Sequence, residues 1–303
     1  MHDAITGTWF VCPTPFCADG SLDPEGITTL VDAAVDWGVD GLTVLGVMGE
    51  AGALTDAERD TAQRTFVSAA RGRVPVAVGC SAPSAAVVAE RVRRAVDAGA
   101  AAAMVSAPPL LRDTDRIAGF FAEVGAAAAV PVIVQDEPAA TGVVLPVSAL
   151  AAAVDAAGST VVKLEDPPTP PKITRLLRER PGLTVFGGLG GVSAYWELRR
   201  GGAGTMTGFA FPEILAAIRI HIEDNDIAAG AAVFDRYLPY IAYEGQPGAG
   251  LAVRKEVLRR RGALPGARAR TVPTPDATVL DELDDVLARV GLEPSRSPLR
   301  VAA

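Results

Sequence analysis

The sequence predicts a (β/α)8 barrel that is followed by a C-terminal helical appendage. Short β-branched runs alternate with longer Ala-rich segments, eight such units fit within residues 1–226, and no Gly-x-Gly-x-x-Gly motif follows the first run. Eight successive β-then-α units are typical of a closed parallel barrel. An open doubly wound sheet would also alternate, but its dinucleotide-binding fingerprint would come directly after the first strand.

The predicted strands are short, mostly apolar and bounded by Gly or Pro. Strands that are buried on both faces of a parallel sheet usually have this composition. In chain order they are Thr8–Cys12, Gly41–Leu45, Val74–Val78, Ala102–Val105, Val130–Val134, Thr160–Leu164, Leu183–Phe186 and Gly204–Thr207.

Several helices between these strands have recognisable starts and ends. Asp23-Pro24-Glu25 offers an N-cap, a proline in the first turn and an early acid. Thr55 and Glu58 have the spacing of a capping box. Gly38, Gly72 and Gly99 each follow a helical segment, where a left-handed residue commonly ends the helix.

The alternation stops after about residue 228, and three helical segments follow. They are Ala229–Tyr243, Gly250–Gly262 and Ala277–Val290. A Pro-rich connector, Pro265 to Pro275, separates the last two. We therefore divide the chain into a barrel at 1–226 and an appendage at 227–303.

Charge and composition exclude several classes of protein. The formal net charge is −8 and the isoelectric point is about 4.9, so we expect neither nucleic acid nor an anionic membrane as a partner. Arg259 to Arg261 form a short basic cluster, which we interpret as the solvated face of a helix. The longest apolar runs are too short to span a bilayer, and the first residues do not resemble a signal peptide.

The cysteines and histidines argue against a thiol enzyme and a metal enzyme. Cys12, Cys17 and Cys80 have no metal-type spacing, so we expect reduced cysteines in a cytoplasmic protein. His2 and His221 are the only histidines, and both fall away from the predicted strand ends. We expect no metal and no cofactor, because a metal-dependent aldolase needs an acid–histidine ligand set.

Lys163 is the strongest candidate for a catalytic residue. It lies in the apolar strand Thr160–Leu164, where an unpaired ammonium is costly and burial favours the neutral amine. A neutral amine in a dry barrel is a nucleophile for a ketone. Side chains alternate along a strand, so Glu165 should share its face and lie at the C-terminal mouth. A purely structural lysine paired with Glu165 or Asp166 explains the pattern equally well.

Two glycine-containing loops could contact a substrate. Gly46, Val47, Met48 and Gly49 follow the second strand, where glycines let backbone N–H groups point at a carboxylate. The run Gly187 to Gly191 follows the seventh strand, and we predict that Gly187, Gly188 and Leu189 line the substrate pocket. The loop after the second strand could also be an ordinary βα turn.

Taken together, these segments resemble the dihydrodipicolinate synthase / N-acetylneuraminate lyase family, in the family's order and over almost the whole chain. Gly46 to Glu50, followed by Leu54 to Arg59, is similar to its Gly-x-Thr-Gly-Glu…Leu-Thr-x-x-Glu segment. Pro13 to Asp23, Gly201 to Gly208 and Lys255 to Leu258 resemble its first loop, eighth strand and appendage.

The resemblance implies a function. It places Lys163 where the family keeps its Schiff-base lysine, and it implies an enzyme that acts on pyruvate or a related 2-oxo acid. It also implies a homo-oligomer, either a dimer or a tetramer.

The chain also departs from the family. The tyrosine at the end of strand five is replaced by Gln135, and both hydroxyls of the strand-two motif are lost at Val47 and Met48. Pro108 to Leu111 occupy the region of a second tyrosine, and Ala140 stands where the synthase has its substrate-binding arginine. We therefore predict that the protein is not a dihydrodipicolinate synthase.

A group near the mouth must replace the missing tyrosine in proton transfer. The candidates are Asp136, Glu137, Glu165 and Asp166, and Glu165 is preferred because it shares a face with Lys163. Gln135 can hydrogen-bond a substrate oxygen but cannot relay a proton as a phenol does. Alternation also predicts that Asp136 points away from the site.

Three functions remain open from the sequence. The first is an imine-forming lyase or aldolase acting on pyruvate or a similar acid and, for an aldolase, an aldehyde. The second is a dehydratase or decarboxylase of a 2-oxo sugar acid that uses the same imine. The third is a non-catalytic family member that binds a 2-oxo acid.

Overall fold

The computed structural model describes residues 5–109 and 111–301. His2 and Leu110, which entered the sequence argument, lie outside the described residues. Eight parallel strands form a closed barrel in the order β1 to β8, as the sequence predicted. They are β1 Gly7–Val11, β2 Gly41–Val44, β3 Val76–Gly79, β4 Ala102–Ser106, β5 Val132–Asp136, β6 Val161–Leu164, β7 Thr184–Gly187 and β8 Gly204–Thr207.

Four strands begin later than the sequence predicted: β6 and β7 by one residue, and β3 and β5 by two. The predicted strands at Val74 and Val130 begin instead at Val76 and Val132. Each of these strands follows a proline, Pro75 or Pro131, and proline has no N–H to donate to a neighbouring strand. The apolar residues before each proline therefore stay outside the strand.

Helices connect the strands and surround the barrel. They are α1 Pro24–Asp36, α2 Asp56–Ala70, α3 Ala85–Asp97, α4 Thr114–Ala127, α5 Pro138–Thr141, α6 Val147–Ala156, α7 Thr169–Glu179, α8 Ala194–Leu198 and α9 Pro212–Glu223. The predicted starts of the first two are confirmed, because the side chain of Asp23 caps α1 and Thr55 with Glu58 forms a capping box on α2. Gly38, Gly72 and Gly99 all have positive φ, as their place after helices predicted.

The apolar core has two layers. The barrel interior holds one cluster, which includes Trp9, Met104, Val161 and Phe186. A larger cluster fills the space between the strands and the surrounding helices. Because the interior is packed with side chains, the open space for a ligand lies above it, at the C-terminal ends of the strands.

Three further helices follow the barrel, at the places where the sequence predicted them. They are α10 Ile227–Glu244, α11 Gly250–Arg260 and α12 Ala277–Val290. The predicted division of the chain at residue 227 remains a prediction. Within 5–109 and 111–301, none of the helices combines the length and the apolar character needed to cross a bilayer.

Candidate active site

Lys163 points into the barrel, where its strand register predicted it. It lies on β6 two residues above Val161, which belongs to the interior cluster, and only 5% of the residue is exposed. Its Nζ lies 3.1 Å from Oε2 of Glu165. The amine is therefore enclosed, and a carboxylate is its nearest charged neighbour.

Glu165 and Gln135 complete a group of three side chains around the amine. Glu165 follows the end of β6, and its Oε2 accepts a hydrogen bond of 2.8 Å from Nε2 of Gln135. Gln135 is the direct neighbour of Lys163 in the register between β5 and β6. The three residues that the sequence predicted as catalytic thus lie together. The amine of Lys163 contacts the carboxylate of Glu165, which in turn contacts the amide of Gln135.

A cavity of about 340 Å³ opens above these side chains. Its wall includes Val47 and Met48 after β2, Thr207 and Gly208 at the end of β8, and the appendage segment from Glu244 to Leu251. A second cavity of about 540 Å³ adjoins it and shares Val47, Gln135 and Glu137. Together the two cavities offer room for a substrate longer than pyruvate.

Only part of the predicted glycine lining faces this space. Leu189 lines the first cavity, whereas Gly187 and Gly188 are not among the residues of its wall. A Cβ on Gly187 would stand 1.8 Å from Oε2 of Glu197, and one on Gly188 would stand 2.3 Å from Oε1 of Glu165. These two positions are glycine because buried glutamates occupy the space of a side chain.

The loop after β2 is shaped to present its backbone. Leu45 and Glu50, which flank it, both have positive φ values, near 56° and 51°. Such strained backbone is uncommon for these residue types and is concentrated at functional sites. Among the described residues, the N–H groups of Val47 and Met48 donate to no backbone or side-chain acceptor. Gly49 forms the turn instead, where its carbonyl accepts from the hydroxyl of Thr14 at 2.6 Å.

Glu50, the last residue of the loop motif, anchors the appendage. Its Oε1 accepts from Nζ of Lys255 at 2.6 Å, and its Oε2 accepts from the N–H and the hydroxyl of Thr271, both at 2.8 Å. Glu50 and Lys255 are both buried. The motif therefore joins the barrel mouth to the helices that cover it.

The remaining acids near the mouth have different surroundings. Burial, followed by the charge of Glu165, raises the pKa of Glu137 to about 7, and this side chain lines both cavities. Burial raises the pKa of Asp136 to about 6. Asp136 points away from the cavities, as predicted, because its Oδ2 accepts from Nζ of Lys172 at 2.6 Å. Asp166 binds the same ammonium at 2.7 Å.

Sequence reasoning missed several buried charged residues, among them Lys172, Glu197 and Arg254. It was also wrong about Arg261, which was predicted on a solvated face but is buried and paired with Glu213 at 2.6 Å. Lys172 and Glu197 lie on helices outside the barrel wall, and Arg254 lines the first cavity. Each lies on a polar or mixed helix, so nothing in its local pattern shows burial. The neighbouring Lys255 gave the only hint for Arg254, because the sequence resemblance includes that segment.

Burial explains the cysteines that the sequence assigned to the core. It raises the pKa of the Cys80 thiol to about 12 and raises that of Cys12 further. Both therefore stay protonated at neutral pH and are poor nucleophiles.

Comparison with known proteins agrees with this geometry. The sequence matches the dihydrodipicolinate synthetase family over residues 5–228. The chain belongs to this family. The membership makes the protein a lyase-type enzyme built on a class I aldolase barrel, and the predicted resemblance is confirmed.

Several family members are similar to this chain, over different shares of their length. The L-2-keto-3-deoxyarabonate dehydratase of Azospirillum brasilense is 35% identical over 277 residues, which cover 87% of each chain. A 4-hydroxy-tetrahydrodipicolinate synthase of Stenotrophomonas maltophilia is 39% identical over 142 residues, covering 46% of this chain and 47% of that one. The crystal structure of dihydrodipicolinate synthase from Rhodopseudomonas palustris superposes with a TM-score of 0.89 at 35% identity and covers 94% of this chain and 97% of that one.

Proposed function

We propose that the protein dehydrates a 3-deoxy-2-oxo sugar acid through an imine on Lys163. The observation that supports this most is the position of Glu165, whose carboxylate lies 3.1 Å from Nζ of Lys163 and is held by Gln135. A base at this distance from the imine nitrogen can reach C3 of the substrate, which is two bonds from that nitrogen. The name of the Azospirillum relative is consistent with this chemistry.

The reaction balances with the residues present. Nζ of Lys163 attacks C2, and the carbonyl oxygen leaves as water to give a protonated imine. Glu165 then takes a proton from C3, and the electron pair moves into the C2–C3 bond. The C4 hydroxyl leaves with that proton as water while C3 and C4 form a double bond. Addition of water at C2 releases the amine, so the substrate loses one water in total.

Aldol cleavage is the competing reaction of the same imine. It requires a base that takes the proton of the C4 hydroxyl, further from the imine than C3. The family keeps a tyrosine for such a relay, but Gln135 stands there and an amide cannot shuttle a proton. The geometry therefore favours dehydration over exchange of pyruvate with an aldehyde.

The products separate these functions. The purified protein is incubated in deuterium oxide with 3-deoxy-2-oxo pentonates and hexonates and followed by proton NMR, while lactate dehydrogenase reports any free pyruvate. We expect loss of the C4 proton signal from its carbinol position and no pyruvate. Release of pyruvate would identify an aldolase instead. No turnover across the panel would identify a non-catalytic binder.

We also propose a cytoplasmic homo-oligomer without a cofactor or metal. Reduced cysteines support the compartment, and the family resemblance supports a dimer or tetramer. Light scattering of the purified chain measures the assembly directly.

A further inference from the structure

Arg254 reaches from α11 into the first cavity, beside the end of β8. Its Nη1 lies 3.0 Å from the sulfur of Met48, and the side chain passes over Gly208 at the end of β8. Only 4% of the residue is exposed. Its Nη2 makes no hydrogen bond to any residue within 5–109 or 111–301. A buried guanidinium with unused donors is costly unless a ligand completes it.

The guanidinium of Arg254 is held in place by residues of α10. Its Nε donates to Oε1 of the buried Glu244 at 2.6 Å, and Oε2 of Glu244 accepts from the hydroxyl of Tyr240 at 2.6 Å. The next residue on α11, Lys255, is fixed by Glu50. One edge of the arginine is therefore fixed to the appendage, and its Nη edge remains available to the cavity.

The charges around the cavity indicate which group of a substrate would bind to the Nη edge of Arg254. Among the described residues that line the first cavity, Lys163 and Arg254 are the cations. The carboxylates of Glu137 and Glu165 disfavour a substrate carboxylate on the β5–β6 side. Glu244 also lines the cavity, but its oxygens already accept from Arg254, Tyr240 and the N–H of Ala210. Met48, whose N–H is unused, places its sulfur 3.0 Å from Nη1 of Arg254, so the loop after β2 adjoins the guanidinium.

The adjoining cavity contains two arginines, but neither lines the cavity that holds Lys163. Arg59 donates to the carbonyls of Ala51 and Gly79 at 3.1 and 2.8 Å, so both of its Nη atoms are used. Arg91 donates from Nη1 to the carbonyl of Ser81. Arg254 is therefore the arginine that shares a cavity with the amine of Lys163.

We propose that Arg254 binds the carboxylate of the 2-oxo acid, together with the N–H groups of Val47 and Met48. This inference rests on the proposed function only in taking a 2-oxo acid as the ligand. The appendage thereby supplies a charged contact at the place where the hydroxyls of the family motif are missing. A guanidinium suits this task because its planar fork matches a carboxylate.

The test compares ketones with and without the charge. Wild type, Arg254→Met and Arg254→Lys are trapped with borohydride over a range of pyruvate and of methyl pyruvate concentrations. We expect Arg254→Met to raise the half-saturating pyruvate concentration about 10- to 100-fold and to leave that of methyl pyruvate little changed. Arg254→Lys should recover part of the loss, because it keeps the charge without the fork. Arg259→Met, an exposed arginine on the same helix, is the matched control.

Equal losses for both ketones, or none for either, would overturn the proposal, since the arginine would then be a scaffold or unused. A second measurement does not need the imine. Calorimetry of pyruvate binding to Lys163→Ala, with and without Arg254→Met, should show binding only when the arginine is present. If Lys163 forms no imine, borohydride traps no pyruvate on the wild type, and this outcome is distinct from a failure of Arg254 to bind the carboxylate.

Discussion

Glu165 contacts both Lys163 and Gln135, and each contact has a separate consequence. The amine needs a carboxylate nearby to exchange protons, and the carboxylate needs a neutral donor to fix its direction. Gln135 provides that donor at 2.8 Å without adding a proton of its own. A tyrosine at position 135 would compete with Glu165 for the role of proton carrier, whereas the amide of Gln135 leaves that role to Glu165.

The first prediction concerns Glu165. Glu165→Gln keeps the size and the contact with Gln135 but cannot take a proton from C3. We expect kcat for dehydration to fall about 10²- to 10⁴-fold, the usual contribution of a general base. Trapping of pyruvate by borohydride should persist, because imine formation still has its amine. A variant that keeps its turnover would show that another group, such as Glu137, is the base.

At the scale of elements, two helices determine features that the strands alone do not. Helix α11 brings Arg254 and Lys255 to the mouth, and α8 presses Glu197 against β7 at Gly187. Glu197 is 1% exposed; its Oε1 accepts from the hydroxyl of Thr169, and its Oε2 has no partner among the described residues. Burial raises the pKa of Glu197 to about 7.

This raised pKa predicts a pH dependence of stability. Between the ordinary value of 4.5 and about 7, the unfolded chain loses the proton of Glu197 while the folded chain keeps it. The stabilisation present below pH 4.5 is thus lost as pH rises through 7, by on the order of 3 kcal/mol. Glu197→Gln should therefore gain stability relative to wild type from pH 5 to pH 8 in urea unfolding. The exposed Glu123→Gln is the control; a constant difference between Glu197→Gln and wild type would refute the argument.

The elements themselves were largely predictable, while their long-range contacts were not. The bounds of α12 and β8 match the prediction, since apolar periodicity and flanking glycine or proline mark them locally. Strand alternation places Lys163 and Glu165 on one face, whereas the hydrogen bond from Gln135 to Glu165 depends on the register between β5 and β6. Arg254, Lys172 and Glu197 were not found, because each is buried by a partner remote in sequence, such as Glu244, Asp136 or Thr169.

At the scale of the whole molecule, this chain shares the barrel with its family but lacks the residues that the synthase uses to bind its second substrate. We predict that the protein does not make the dihydrodipicolinate precursor from pyruvate and aspartate semialdehyde at a useful rate. Val47, Gln135 and Ala140 replace the hydroxyls and the arginine that this reaction uses. Loss of general acid–base help costs about 10²- to 10⁴-fold. Expression in a strain that lacks the synthase is the test: growth without diaminopimelate would show that the chain makes the precursor despite these substitutions.

The central claim is that Lys163 forms the imine, and one mass spectrum tests it most directly. The protein is incubated with pyruvate, reduced with borohydride, digested and analysed by mass spectrometry. We expect a stable addition of the reduced pyruvyl group on the peptide that contains Lys163, and its loss in Lys163→Ala. The buried Lys172, paired with Asp136 and Asp166 outside the barrel wall, is the internal comparison and should stay unmodified. An addition that persists in Lys163→Ala, or none in the wild type, would contradict the account.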